Sequence, residues 1–388
     1  MSVRTFFNFD GVGAEVQGPT GEAAFAPKVN VGIANTRNSD IQVLLYVPTA
    51  PQYNAIGVTG LERHKVGSGA DRRNALVLHR SSNLASITNG ARIGLGKDID
   101  ARTNRSWRQI YGFTYVDFSD REPTLAYGTV FAMRNASRLA LITRRNNNTL
   151  LIGSESFPFE RGREYYIEVE LFCDLPERPA SANPISARVL IDGQVIYTWN
   201  QTLGSIAASG VNTAGIEIGF ADQSSNPFPL QIGVSDIYVA DGEGEAPYNA
   251  PLGAQKVQVK QVVLADSPNW KVVGADDPQE ALSDDSDASY IESPLSDADA
   301  LLMFDLDLNQ GSVVNGIQVY ARGSRGSGAV RSLSSVIHVG SEELNPKTVT
   351  FPSVTAPRTL SGILPSKTEQ MALLEGTALS DLLIKIEA

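Results

Sequence analysis

The sequence predicts an all-β protein: a large antiparallel sandwich followed by a second, smaller β-sandwich domain. Three observations predict it. Apolar and polar residues alternate over short runs, turn-forming residues separate those runs, and long stretches with an apolar period of 3.6 are lacking. The clearest run is Tyr165, Ile167, Val169 and Leu171 on one parity with Glu168 and Glu170 on the other, a strand with one face in a core and its acids on a solvated outer face. Ile185, Ala187, Val189 and Ile191 repeat the pattern. Asp192-Gly193 then supplies the positive φ angles of a tight hairpin, and Val195, Tyr197 and Trp199 resume the alternation beyond it. The 34 glycines and 20 prolines supply the many turns that such a fold needs.

Taken in order, the expected strands of the first domain are Thr5–Phe9, Ile41–Val47, Ala75–His79, Ile110–Phe118, Gly128–Arg134, Leu139–Thr143, Tyr165–Phe172, Ala187–Ile191, Gln194–Trp199, Gly215–Phe220 and Ser235–Val239. Asn146-Asn147-Asn148 is a turn tip, because asparagine tolerates the left-handed conformation. Asp241-Gly242-Glu243-Gly244-Glu245-Ala246-Pro247 reads as a linker, which sets the domains at 1–248 and 249–388. The second domain is expected to contain strands at Lys256–Leu264, Leu301–Leu308, Gly316–Tyr320, Ser335–Val339, Lys347–Phe351 and Asp381–Glu387. One helix is expected there: Ser366 and Glu369 have capping-box spacing, Met371, Leu373 and Leu374 give an apolar side, and Gly376 stops it. No repeat or heptad pattern is visible, which excludes a coiled-coil or β-helical shaft.

Charge narrows the function classes. The net charge is −11, and residues 272–321 hold 11 acids and no Lys or Arg. Such a segment repels phosphate, so no nucleic-acid partner is expected there; the basic clusters Arg72-Arg73, Arg102 to Arg108 and Arg144-Arg145 read as solvated strand ends. The single cysteine, Cys173, excludes an internal disulfide framework. The first residues lack the apolar core of a signal peptide, and no run approaches the roughly 20 apolar residues of a membrane helix. Synthesis in a cytoplasm, without membrane insertion, is the expectation.

Catalytic signatures are weak. His64, His79 and His338 are scattered, away from zinc spacing and from any Ser or Cys nucleophile, and Cys173 follows apolar and acidic residues that do not activate a thiol. Glu168 and Glu170 lie two residues apart on one strand face, the arrangement to weigh for a retaining glycosidase. The acidic cluster Asp284, Asp285 and Asp287 offers oxygen ligands for calcium without the glycine and terminal glutamate of an EF-hand; Asp98 with Asp100 is a similar pair. No cofactor motif is present. Trp107, among Arg105, Ser106 and Arg108, is the tryptophan best suited to stack on a sugar ring, with Tyr111 four residues on; Trp199 alternates with core residues. The expectation is a non-enzymatic protein.

The run Val189-Leu190-Ile191-Asp192-Gly193-Gln194-Val195 resembles the Asp-Gly hairpin of concanavalin A-like and laminin-G-like jelly-roll domains. Asn8-Phe9-Asp10-Gly11 and Ser235-Asp236-Ile237-Tyr238-Val239-Ala240-Asp241-Gly242 resemble the first and last strands of the same group. The laminarinase branch of that fold would demand Glu-x-Asp-x-(x)-Glu, whereas this chain reads Glu168-Val169-Glu170-Leu171-Phe172-Cys173-Asp174. Downstream, Leu252-Gly253-Ala254-Gln255-Lys256-Val257, Trp270, Asp284 to Ile291 and Gly316 to Arg322 resemble two-domain virion proteins of tailed bacteriophages, with Ala254 where an acid is common. The resemblance implies a virion structural protein of the tail, baseplate, collar or capsid decoration, displaying a lectin-like domain. Its implied partners are other virion proteins and copies of itself, as an oligomer, and a host-surface glycan. A glycan-binding adhesin and a polysaccharide depolymerase using Glu168 and Glu170 are the alternatives.

Overall fold

A computed structural model of the chain describes residues 3–7, 42–46, 56–59, 65–69, 72–80, 92–99, 107–119, 127–135, 138–146, 148–173, 182–204, 212–219, 230–240, 242, 249–258, 262–266, 270–283, 288–292, 299–304, 315–323, 332–339, 342–350, 358–364 and 382–387. The chain divides into two compact units, Met1–Val257 and Gln258–Ala388. The division falls nine residues beyond the boundary expected at 248, because residues 249–257 are bound to the first unit.

In chain order the first unit contains β1 (Val3–Phe7), β2 (Gln42–Tyr46), β3 (Ile56–Thr59), β4 (Lys65–Val66), β5 (Arg73–Arg80), β6 (Arg92–Ile99), β7 (Trp107–Asp117), β8 (Tyr127–Asn135), β9 (Arg138–Asn146) and β10 (Thr149–Ile152). It continues with β11 (Glu155–Pro158), β12 (Glu164–Cys173), β13 (Ala182–Ile191), β14 (Gln194–Gly204), β15 (Asn212–Gly219) and β16 (Leu230–Ala240). These form two antiparallel sheets, which makes the all-β jelly-roll sandwich the observed fold. The first runs β14-β13-β12-β7-β16-β5-β3, with β1 on β16 and β4 on β5; the second runs β11-β10-β9-β8-β15-β6-β2.

The hairpin expected at Asp192-Gly193 is present, with φ of 49° and 78° at the two residues. It is tied into the sheet as well: the Asp192 amide donates to the Tyr166 carbonyl at 2.8 Å, and Asp192 Oδ1 accepts from the Tyr166 amide at 2.9 Å. One residue thus fixes both the turn and its register on β12.

Register separates the two faces of the first sheet. Ile167, Val169 and Leu171 lie opposite Phe113, Tyr111 and Gln109 on β7 and opposite Ile191, Val189 and Ala187 on β13. This set faces the interior, because Asp117 on the same parity meets Arg145 of β9 across the sandwich, Arg145 Nε lying 3.3 Å from Asp117 Oδ2. Both side chains are fully buried. The Arg145 guanidinium sits 4.9 Å over the Phe159 ring, and Phe159 stacks on Tyr165 at 4.3 Å. From the second sheet Leu150, Ile152, Ile216 and Ile218 complete the interior.

The second unit contains β17 (Val262–Asp266), β18 (Lys271–Val273), α1 (Pro278–Ser283), β19 (Tyr290–Glu292), β20 (Asp299–Phe304), β21 (Ile317–Gly323), β22 (Ser332–Val339), β23 (Glu342–Thr350), β24 (Arg358–Leu364) and β25 (Leu382–Glu387). A five-stranded sheet, β17-β20-β25-β22-β23, is accompanied by the pairs β18-β19 and β21-β24. Of the strand expected at Lys256–Leu264, residues 262–264 lie in β17 and residues 256–258 are outside any strand; the amides of 252, 253 and 257 go to side chains of the first unit. Helix α1 carries a legible start signal: Pro278 opens it, Asp277 Oδ1 accepts from the Glu280 amide at 2.8 Å, and Glu280 Oε2 accepts from the Asp276 amide at 2.9 Å. The helix expected after Ser366 and the far end of the strand expected at Leu301–Leu308 lie outside the described residues.

A buried ion pair that loses one partner leaves an uncompensated charge, so Asp117→Ala is expected to lower unfolding stability by about 3–5 kcal/mol in urea titration. Replacing both, as Asp117→Leu with Arg145→Met, is expected to recover most of that loss; equal losses in the single and double variants would contradict the assignment.

Candidate functional site

The outer face of the first sheet holds a buried polar network rather than a solvated one. Its centre is Asp236, which sits in a bulge of β16 between Ser235 and Tyr238 with φ of 46°, a conformation that a non-glycine residue holds only when its surroundings over-determine it. Here they do. Arg73 Nε lies 2.7 and 2.9 Å from the two carboxylate oxygens, Thr114 Oγ1 donates to Oδ2 at 2.7 Å, and the Val257 amide donates to Oδ1 at 3.0 Å. The Tyr166 hydroxyl donates to the Asp236 carbonyl at 3.2 Å.

Beyond the bulge, Tyr238 lies over Gly112, where a Cβ would fall 2.1 Å from its ring. Only glycine admits that ring. The Tyr238 hydroxyl donates to Glu168 Oε1, which also accepts from the Gly253 amide at 3.0 Å, and the Leu252 amide donates to the Tyr238 hydroxyl at 3.1 Å. Glu168 Oε2 has no hydrogen-bond partner among the described residues. Burial pushes the Glu168 carboxyl above the usual carboxylate range; the hydrogen bonds from Tyr238 and from the Gly253 and Leu252 amides oppose that, and the neighbouring Glu170 adds to it. Burial likewise pushes the hydroxyls of Tyr166 and Tyr238 up.

Glu170 is held by cations. Arg188 Nε donates to its Oε2 at 2.5 Å, and Arg108 Nε lies 3.3 Å from its Oε1. Arg108 also rests 5.4 Å from the Phe172 ring centroid and donates to the Asn249 carbonyl at 3.1 Å. Glu168 and Glu170 are fully buried, which corrects the expectation of a solvated acidic face and removes them as a carboxylate pair open to polysaccharide. No sequence signal announced the cover, since residues 249–257 read as the start of the second domain, with a strand from Lys256.

The other expected residues fare differently. Tyr111 is completely buried on the interior parity and its hydroxyl donates to Gln109, so it presents no ring to a sugar in solvent. Trp107 opens β7 in register with Cys173. Asp284, Asp285 and Asp287 lie outside the described residues, among which no group of three His, Cys, Asp or Glu is placed to hold a metal.

A different face emerges from the second sheet. Arg145, Thr143, Phe131 and Ile218 share the interior parity, so register puts the alternate residues on the outer one. Three cross-strand rows result there: Arg134, Gly215, Gly96 and Gln42; Ala132, Glu217, Gly94 and Leu44; Gly219, Arg92 and Tyr46. Four glycines thus floor adjacent strands β15 and β6, with Glu217, 6 % exposed, between them. Glycine inside a strand gives up packing and β-propensity, and it recurs at bulges, at bends and where a ligand or another stretch of backbone approaches closely.

No family model matches the chain, and no curated protein matches it. Solved structures similar to it include the endo-β-1,4-glucuronan lyase of Trichoderma reesei, at 14% identity over 54% of this chain and 93% of that one, with a TM-score of 0.34. An alginate lyase Aly36B variant in complex with alginate trisaccharide is 11% identical over 62% and 98%, with a TM-score of 0.36. Domain 4 of AbnA, an extracellular arabinanase from Geobacillus stearothermophilus, in complex with arabinotriose, is 13% identical over 62% and 94%, with a TM-score of 0.30. The likeness is one of fold. The expectation of a non-enzymatic chain is corrected by the lyases among them, because it rested on the lack of nucleophile, zinc and paired-carboxylate signatures.

Removing the centre of the outer network is expected to be costly: Asp236→Ala leaves Arg73 buried without its carboxylate and is predicted to lower stability by about 3–5 kcal/mol, whereas Thr114→Val costs about 1 kcal/mol. Urea unfolding of both variants measures this, and a loss below about 1 kcal/mol for Asp236→Ala would refute the central role.

Proposed function

We propose that this chain is a bacteriophage virion component whose jelly-roll unit engages an acidic polysaccharide across the outer face of the second sheet. The observation that carries the glycan reading is the set of four glycines on the outer parity of β15 and β6, in cross-strand rows that also hold Arg134 and Arg92. Where four side chains are missing, a flat sugar ring can lie against the strands; guanidinium groups pair with carboxylates in two-pronged fashion, which favours uronate polymers over neutral ones.

The virion part of the reading rests on the ordered motifs of the sequence, from Asn8-Phe9-Asp10-Gly11 through Ser235 to Gly242 and on to Gly316 to Arg322. In that setting the first unit meets the host envelope and the second unit attaches to other virion proteins or to further copies. Attachment of this kind buries at least about 1,000 Å².

Alginate and glucuronan are the first probes, followed by calorimetry for binding and by ultraviolet absorbance for the unsaturated ends that elimination produces. Binding is expected, weakened about tenfold or more in Arg134→Ala and in Gly96→Val, the latter with unchanged thermal stability. Appearance of unsaturated ends assigns a depolymerase, and binding without them assigns an adhesin. Failure of both would end the glycan reading, as absence of the chain from purified particles by mass spectrometry would end the virion reading.

A further inference from the structure

Strand β14 ends the first sheet. Among the described residues it pairs with β13 alone, so the amides and carbonyls along its other side point away from the sheet. Such ends are ordinarily blunted by brevity, charge, proline or a bulge, because an unpaired strand is a template for another. The other ends of the larger sheets follow that rule. β3 and β11 have 4 residues each, β11 including Glu155 and Pro158; β2 and β17 have 5 each; β23 is longer but carries Glu342, Glu343, Pro346 and Lys347. β14 has 11 residues, Gln194 to Gly204, with no charged residue and no proline among them. Its one irregularity is the register shift opposite Val189 and Leu190, next to the hairpin, and residues 197–204 are in unbroken register with β13.

Two further observations distinguish this edge. Val195, 48 % exposed, is one of two large apolar side chains open to water among the described residues, the other being Tyr290 of the second unit. Tyr197 is held against the second sheet: a Cβ at Gly153, in the turn between β10 and β11, would fall 2.6 Å from the Tyr197 ring. The strand is thus fixed before any partner arrives, which lowers the ordering cost of adding another.

We propose that β14 is a dimerisation edge, on which β14 of a second copy lies antiparallel about a two-fold axis at Asn200 and joins the first sheets of two jelly-roll units into one. A second copy fits because the strand is complementary to itself. With the axis at Asn200, Tyr197 lies opposite Leu203, Thr198 opposite Thr202 and Trp199 opposite Gln201, so uncharged residues meet at every position of 197–203. Opposed like charges, which destabilise a strand pair, do not occur there. The net charge of −11 equals that of the 11 acids in residues 272–321, so the rest of the chain is balanced and two copies meet at β14 without net repulsion. Register on β13 puts Thr198 and Asn200, both exposed, on the outer parity with Arg188 and Ser186, and Tyr197 and Trp199 on the interior parity with Val189 and Ala187. An axis perpendicular to the sheet keeps both faces continuous across the pair. The contact belongs to the first unit and stands whether or not that unit binds a glycan.

Sedimentation equilibrium of the full chain from about 1 to about 100 μM tests this. The natural chain is expected to reach at least twice its monomer mass within that range. Asn200→Lys and Asn200→Glu place like charges on the axis at an exposed position, and each is expected to weaken association about tenfold or more. Mixing the two variants in equal amounts is expected to restore it, since Lys then opposes Glu. Hydrogen exchange of the natural chain on peptides from 194–204 needs no variant: protection of β14 is expected to rise with concentration while that of β7 stays constant. A monomer at every concentration overturns the proposal and leaves the edge to a strand of another protein. Association undiminished by both substitutions, a mixture that stays monomeric, or β14 protection independent of concentration overturns it as well.

Discussion

The left-handed bulge at Asp236 is the constraint on which the first sheet's outer face depends. A carboxylate taken out of water must recover its hydration from donors, and here an arginine, a threonine hydroxyl and a backbone amide do so from β5, β7 and residues 249–257. Those donors hold the residue at a φ that its side chain otherwise resists. The bulge in turn shifts the register of β16, so that Tyr238 pairs with Gly112 and reaches Glu168. The network is thus an assembly in which each member fixes the geometry of the next.

A second charged pair does a comparable job inside. Arg145 and Asp117 connect the two sheets across an interior otherwise made of aliphatic and aromatic side chains, and Phe159 lies against the guanidinium face. The desolvation cost of such a pair is large, and its worth lies in registering one sheet on the other more than in net stability. Both ion pairs come from residues that sequence places at strand ends among other arginines. The reading of Arg72-Arg73 and Arg144-Arg145 as solvated clusters is therefore corrected for Arg73 and Arg145, each of which is buried.

The two outer faces of the sandwich divide the work. One is closed by the protein's own connector, and its acids serve that closure; the other carries four glycines on two adjacent strands, in cross-strand rows that also hold Arg134 and Arg92. A face built without side chains is expensive for a sheet and becomes intelligible when something else lies on it. The acids that looked most like catalysts, Glu168 and Glu170, belong to the closed face. Arg134, Glu217 and Arg92, in the rows of the proposed glycan face, belong to strands whose sequence signal was merely that of alternation.

Alternation and turn chemistry determined the all-β class, the Tyr165 to Trp199 hairpin and most strands of the first sheet, since a period of two and an Asp-Gly pair are local properties of the chain. The turn at Asn148 between β9 and β10 was legible for the same reason, and Asp277-Pro278-Gln279-Glu280 held an unread helix start. Burial of Glu168, Glu170, Arg73 and Arg145 was decided only by tertiary structure, because each depends on partners 18 to 163 residues distant. So was the fate of residues 249–257, whose amides found carboxylates instead of a strand. Parity assigns a residue to a face, and only the packing of distant segments decides whether that face meets water, ligand or more protein.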